Sequence, residues 1–351
     1  MASDIFKPLR VLIADDSNVA RALLRSVLEE AGGIQVAGEA ENGRQAVEMA
    51  ASLKPDLIVM DLQMPVMDGM SAISEIMARR ATPILVASDA ADARRAYEAV
   101  RRGALDVVAK PDFSPVSGRA FAAKVRLLAG VPVIAHIRPK GAASPSNIPS
   151  PSLDAVQPCS DNCGRVFAVA ASTGGPQALC RIFSLLPADF PAPLLVAQHI
   201  SDGFAGGMAS WLDGFCRLTV RLAIHGEPVR PGTAYIVPSE AHGSVGPGLR
   251  IVLTAPDNRD LYRPSCNRLL ESVANTCGPC AVGVILTGMG EDGVEGMTRI
   301  HRQGGTTLGQ DRETSLIFGM NRCAIEAGVI QKILPLGAIA AEMVRLAGGE
   351  R

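Results

Sequence analysis

The strongest constraint on this chain is an alternation, repeated in two blocks, of short apolar runs with stretches of helical period. In the first block the apolar runs are residues 11–16, 34–38, 56–61, 83–88 and 106–110. Amphipathic stretches separate them, such as residues 19–30 with Leu23, Leu24, Val27 and Leu28 on one face. Strands that alternate with helices predict a parallel sheet covered on both sides, with ligand chemistry at the carboxyl ends of the strands. The second block has apolar runs at residues 166–171, 193–198, 234–238, 249–254, 281–286 and 306–309. Between the blocks, residues 138–152 are rich in Pro, Ser and Ala and show no periodic apolar face, as an extended linker would. The expected organisation is therefore an N-terminal domain over residues 1–130, a linker over 131–164 and a C-terminal domain over 165–351. At 351 residues with 48% hydrophobic side chains, the chain can bury two cores.

Composition removes several function classes. The formal net charge of -1 and the lack of a basic stripe argue against nucleic-acid binding. No apolar run approaches the roughly 18 residues that span a bilayer, so no direct membrane insertion is expected. Met1-Ala2-Ser3-Asp4-Ile5 lacks the basic and apolar regions of a signal peptide. The expectation is a cytoplasmic protein whose eight cysteines are reduced thiols.

In the first block, Asp15 and Asp16 follow one predicted strand, Asp61 another, and Lys110 the last. Parallel topology gathers strand ends on one rim, where crowded carboxylates call for a hard divalent cation, Mg²⁺. A carboxylate there can accept a phosphoryl group while the cation and a lysine offset its charge.

The text Ala14-Asp15-Asp16-Ser17, Met60-Asp61-Leu62-Gln63-Met64-Pro65 and Ala109-Lys110-Pro111 resembles the response-regulator receiver family over about residues 8–130. That resemblance implies a flavodoxin-like (βα)5 fold and phosphorylation at Asp61. It also implies Mg²⁺ held by Asp16, Asp61 and the carbonyl of Gln63, with Asp15 acting through water. Lys110 would bind phosphate, and Ser88 would be the hydroxyl that moves toward it. Val107 stands where receivers often carry an aromatic ring, so an aromatic switch does not carry over.

In the second block, Phe167-Ala-Val-Ala-Ala-Ser172-Thr173-Gly174-Gly175-Pro176 places Ser172 at a sharp turn from strand to helix. Unpaired N–H groups at a helix start can stabilise an oxyanion. A Gly-rich turn of this kind can equally cradle a phosphate, although G-x-G-x-x-G and a P-loop lysine are both absent. His199 closes the apolar run Leu195-Val-Ala-Gln198, and Asp292 follows the run that ends at Leu286. Serine, histidine and aspartate at strand ends of one sheet can act as nucleophile, general base and orienting carboxylate. The order Ser–His–Asp and the absence of G-x-S-x-G disfavour a lipase-type fold. Among the other histidines, His136 falls in the linker, His301 on a helical stretch, and His225 and His242 at turns.

These segments, with Pro231-Gly-Thr-Ala-Tyr235, Leu286-Thr-Gly-Met289-Gly-Glu-Asp292-Gly and Gln310-Asp-Arg-Glu-Thr-Ser315, resemble the catalytic domain of the CheB protein-glutamate methylesterases over about residues 165–348. The resemblance implies a doubly wound, mainly parallel α/β hydrolase domain with Ser172 as nucleophile, His199 as base and Asp292 as its orienter. Thr173 and the backbone at Met289 would lie beside the reacting centre. It implies a phosphorylation-activated enzyme that demethylates glutamate methyl esters, and deamidates glutamines, on methyl-accepting chemotaxis receptors. A chemotaxis histidine kinase would be the phosphodonor, and the hydrolase domain would need no cofactor. The competing reading is a receiver fused to a non-catalytic dinucleotide- or protein-binding module. Two departures from the family text are Pro264-Ser265-Cys266-Asn267, for the usual Pro-Ser-Val-Asp, and Gly319-Met320-Asn321, for Gly-Met-Pro. Cys277-Gly-Pro-Cys280 spells a redox motif but follows a helical stretch and precedes a strand, the reverse of the thioredoxin order. Cys159 and Cys163 lack a second ligand pair for zinc.

Overall fold

The structure is a computed structural model, and it describes residues 7–112, 114–133, 164–257 and 259–348. The Pro/Ser segment, His136, Cys159 and Cys163 lie outside the described residues. Both alternating blocks form parallel sheets covered by helices, as the pattern predicts.

The strands of the N-terminal sheet are β1 (Leu9–Ala14), β2 (Ile34–Ala40), β3 (Leu57–Met60), β4 (Ile84–Ser88) and β5 (Asp106–Ala109). They lie in the order β2-β1-β3-β4-β5. One face packs on α1 (Asn18–Glu30) and α5 (Pro115–Ala129) through Val11, Ile13, Leu24, Leu28, Phe121 and Val125. The other packs on α2 (Gly43–Leu53), α3 (Gly69–Arg79) and α4 (Ala93–Arg101). Helix starts follow from short polar caps: Ser17 accepts from the Ala20 amide, Asn42 from Gln45 and Asp68 from Ser71.

The C-terminal sheet comprises β6 (Val166–Ala171), β7 (Leu194–Gln198), β8 (Thr219–Leu222), β9 (Thr233–Ile236), β12 (Ala281–Ile285), β13 (Thr306–Gln310) and β14 (Lys332–Leu334). These seven strands lie in the order β14-β13-β12-β6-β7-β9-β8, and every neighbouring pair is parallel. The run at 249–254 does not join this sheet. It forms β11 (Arg250–Thr254), antiparallel to β10 (His242–Gly246) in a separate hairpin. On one face lie α6 (Gly175–Phe183), α7 (Ala205–Asp213) and α11 (Leu336–Gly348), and on the other α8 (Cys266–Cys277), α9 (Val294–Arg302) and α10 (Met320–Glu326). The chain leaves central β6 toward β7 on one side and returns to β12 on the other. This reversal opens a crevice at the carboxyl ends of β12, β6 and β7, the usual ligand site of such sheets.

The two sheets share packing. One apolar cluster runs from Tyr97 and Val100 of α4 into Met208, Trp211 and Leu212 of α7. The Tyr97 and Trp211 rings stack with centroids 5.6 Å apart, and the Arg101 guanidinium lies 4.0 Å over Phe215. The helices approach closely because Gly207 has no side chain, since a Cβ there would sit 2.4 Å from that of Ala93. Nearby, the Ala109 amide donates to Ser201 Oγ at 3.2 Å.

Candidate active site

β6 is buried at all six positions and delivers Ser172 directly onto the crevice, where it is 7% exposed. The Ser172 amide donates to the Thr287 carbonyl at 3.1 Å, and its own carbonyl accepts from the Gly175 amide and Gln198 Nε2. The turn requires glycine at 174, where φ is 79°, and a Cβ would lie 2.7 Å from Leu316 Cβ. Gly288 is needed for closeness: a Cβ there would stand 2.6 Å from Ser172 Cβ. The backbone leading to Met289 therefore passes against the serine, and Met289 itself is 55% exposed.

His199 follows β7, and its amide donates to the Ala171 carbonyl, the residue before Ser172. Its Nε2 lies 2.8 Å from Asp292 Oδ2. Asp292 is not on a strand but on the loop between β12 and α9, turned in toward the start of α8. There it accepts from the Cys266 and Asn267 amides at 2.6 and 2.9 Å, and from Ser265 Oγ at 3.2 Å. Burial pushes the Asp292 carboxyl upward. The bonds from His199 and from the Asn267 and Cys266 amides outweigh it and hold the group below its usual range. Ser172 and His199 thus follow the ends of two adjacent strands, β6 and β7, and Asp292 comes from the loop after their neighbour β12.

Some contributors carry no signal in the sequence, and others stood there only as departures from the family text or as residues at turns. The Tyr262 ring stacks on His199, with centroids 4.9 Å apart and planes inclined by 13°. Cys266 Sγ stands 3.5 Å from His199 Nε2 and is fully buried, which pushes its thiol well above its ordinary value. Asn267 Oδ1 accepts from the Gly293 and Gly296 amides, so this departure from the family text ties α8 to the start of α9. Asn321, the other departure, is buried and donates to the Gln310 carbonyl and Ser315 Oγ. His242 is buried, not at an open turn, and pairs with Asp260, whereas His225 and His301 lie elsewhere. Cys277 to Cys280 run from the end of α8 into a 3₁₀ turn before β12, the reversed order expected.

Thr173, next to the serine, accepts a hydrogen bond at 2.7 Å from Lys124 of α5, which also pairs with Asp106 at 2.6 Å. A cavity of about 360 Å³ lies between the two units, bounded by Phe121 and Lys124 on one side and His199, Ser201 and Tyr262 on the other.

On the N-terminal sheet, Lys110 Nζ lies 2.7 Å from Asp15 Oδ2 and 3.0 Å from Asp61 Oδ1. The Gln63 amide donates to Asp61 Oδ2 at 2.8 Å. Ser88 is buried at the end of β4 and Val107 inside β5. Burial raises the Asp61 carboxyl above its usual range despite the attraction of Lys110, and Asp15 adds repulsion. At Lys110 burial is opposed by two carboxylates, and the ammonium is held above its usual value. One cation serving two buried carboxylates leaves surplus negative charge, which suits a divalent ion held by oxygen ligands. Asp16 is exposed. Among the described residues, the trio whose ligand atoms lie mutually within 4.8 Å is His199, Cys266 and Asp292, so Asp15, Asp16 and Asp61 are not drawn into so close a set.

Residues 167–343 match the family model for CheB methylesterase, and residues 11–116 that for the response regulator receiver domain. A protein-glutamate methylesterase/protein-glutamine glutaminase of Paramagnetospirillum magneticum is 50% identical over 97% of this chain and 96% of its own length. One from Anaeromyxobacter dehalogenans is 43% identical over 95% of each chain. The solved catalytic domain of Thermotoga maritima CheB methylesterase is 36% identical, with a TM-score of 0.50 over 52% of this chain and 97% of that one.

Proposed function

Since the chain belongs to the CheB methylesterase family and carries a receiver domain, we propose that it hydrolyses glutamate methyl esters, and glutamine amides, on chemoreceptors under the control of phosphorylation. The observation that carries the proposal is the 2.8 Å bond between His199 and Asp292 on the strand end next to Ser172. With Nε2 turned to Asp292, Nδ1 is the ring nitrogen left to take the Ser172 proton. The serine oxygen adds to the acyl carbon and forms a tetrahedral oxyanion. Amides at the start of α6 and around Met289 are the candidate donors to it. The imidazolium then returns the proton to the departing methoxide, giving methanol, or to the departing amine, giving ammonia. Water, deprotonated by His199, cleaves the acyl-enzyme to the free carboxylate and regenerates Ser172. Asp292 orients the ring and offsets the imidazolium charge throughout. The Gly-rich turn is filled by Leu316 and Gln198, whose atoms crowd the Gly174 and Gly175 Cβ positions. This packing disfavours the dinucleotide-cradle reading.

In the receiver, Asp61 is the proposed phosphoacceptor. Asp16, Asp61 and the Gln63 carbonyl are the proposed Mg²⁺ ligands, with Asp15 acting through bound water. The ion would supply charge neutralisation for the phosphoryl group. A phosphate on Asp61 would recruit Lys110 and Ser88 and so act on β5, whose Ala109 amide holds Ser201. Loosening that contact and the Lys124 bond to Thr173 uncovers the crevice. The implied setting is the cytoplasm, with a chemotaxis histidine kinase as phosphodonor; among the described residues no helix is long and apolar enough to cross a membrane. The test is methanol release from methylated receptor with and without a small phosphodonor. Release that depends on Ser172 and rises with the donor supports the proposal. Undiminished release in Ser172→Ala overturns it.

A further inference from the structure

We infer that Tyr262 is a positioning residue for His199, presented by a loop that a second, buried histidine holds closed. The inference rests on the reading of His199 as general base. Tyr262 lies between β11 and α8, on a segment whose neighbour Leu261 is 90% exposed. Its ring nonetheless lies nearly parallel to the imidazole, with centroids 4.9 Å apart. A surface loop holds such a geometry only if its ends are fixed.

Both ends are fixed by His242, which is 1% exposed. The Ser265 amide donates to His242 Nδ1 at 3.0 Å, so that nitrogen carries no proton and Nε2–H donates to Asp260 Oδ2 at 2.8 Å. One imidazole thus bridges residues 260 and 265, with Tyr262 at the apex between them. Arg268 holds Asp260 from the other side at 2.8 Å, and Asp260 Oδ2 also accepts from the Asp257 amide. Gly290 leaves room for the phenol, since a Cβ there would be 2.8 Å from the Tyr262 hydroxyl.

The consequence for His199 is restraint at one edge and on one face. Asp292 holds Nε2, Cys266 Sγ abuts that same edge, and the Tyr262 ring covers one face. Arg263, next to Tyr262, and Lys124, Lys110 and Asp106 of the N-terminal unit line the same cavity. A stacked aromatic face fixes the ring plane, keeps water from the His199–Asp292 bond and favours the imidazolium that forms during turnover. Because these effects strengthen as the ring gains its proton, they belong to the chemical step and not to receptor binding.

The experiment measures kcat and KM on methylated receptor for the full, phosphodonor-activated chain carrying Tyr262→Phe or Tyr262→Leu, alongside His199→Ala. NMR of the His199 ring protons accompanies the kinetics, because a stacked neighbour shifts them upfield. Tyr262→Phe should keep kcat and the ring shift. Tyr262→Leu, similar in bulk but without a π face, should lose about tenfold in kcat at unchanged KM, and lose the shift. A leucine variant with native kcat overturns the inference, as does a phenylalanine variant as slow as the leucine one. An active His199→Ala would instead remove the general-base reading beneath it. A silent His199→Ala beside an unaffected leucine variant removes this inference alone.

Discussion

Lys124, on the last helix of the receiver, donates a 2.7 Å hydrogen bond to the hydroxyl of Thr173, the residue beside the proposed nucleophile Ser172. The same ammonium is shared with Asp106 at the start of β5. The receiver domain therefore reaches to within one residue of Ser172. Lys124→Ala should raise the basal, unphosphorylated rate on methylated receptor by about two- to tenfold, the value of one such bond. It should leave the phosphorylated rate nearly unchanged. An unaltered basal rate in the folded variant would show that this bond does not restrain the enzyme.

Ser172→Ala and His199→Ala should each abolish nearly all methanol release, and the double variant should be little worse than either. Members of one catalytic unit are not additive. Asp292→Asn should retain more activity than either single variant, because it disturbs the ring's tautomer and orientation without removing the nucleophile or the base. Steady-state rates with matched circular dichroism spectra check this.

Asp61 should be the residue labelled by a small phosphodonor, with labelling lost in Asp61→Asn. The same variant carries a stability signature. A carboxyl whose folded pKa is raised by burial destabilises the fold while ionised, and the penalty is relieved as pH falls through the folded value. Asp61→Asn should therefore melt higher than the parent at neutral pH, with the difference shrinking in acid. Scanning calorimetry without Mg²⁺ or phosphodonor reads it.

Asp292 has the opposite sign. Its carboxyl is held below the ordinary value of 3.8, so its stabilising contribution is full above that value. It disappears as pH falls through the lower, folded one. Asp292→Asn should be destabilised at neutral pH and should lose less further stability than the parent between about pH 5 and pH 3. Urea midpoints across that interval are the measurement, and parallel losses in the two proteins would contradict this sign.

The strand ends that build both sites were legible because each is a short apolar run stopped by a polar residue. Ser172, His199, Asp61 and Lys110 all sit at such stops. Asp292 was found by the same pattern, but its place was not: it lies on a loop and points into the start of α8, a long-range contact that local periodicity does not encode. β8 and β14 escaped notice because Thr219–Leu222 mixes polar and apolar residues and Lys332–Leu334 is three residues long. The run at 249–254 alternates like a strand, and nothing local distinguishes a hairpin partner from a member of the main sheet. Tyr262 was invisible for another reason. Its partner lies 63 positions earlier in the chain (262 − 199), and its loop is held by hydrogen bonds to a histidine from a different strand. The bond from Lys124 to Thr173 joins the two sheets across the linker, and no motif of either unit announces it.

The closeness of α4 and α7 depends on Gly207, whose missing side chain leaves only enough room for Ala93 and the backbone of Arg94. Any larger residue would hold the helices apart, yet it would touch neither Asp61 nor the proposed triad. The packing of α4 on α7 is thus sensitive to a residue remote from both proposed sites. A lineage in which adaptation must run continuously could release the hydrolase through this one codon and keep both chemistries intact. Constraint at a position remote from all reacting atoms would then report selection for restraint rather than for catalysis.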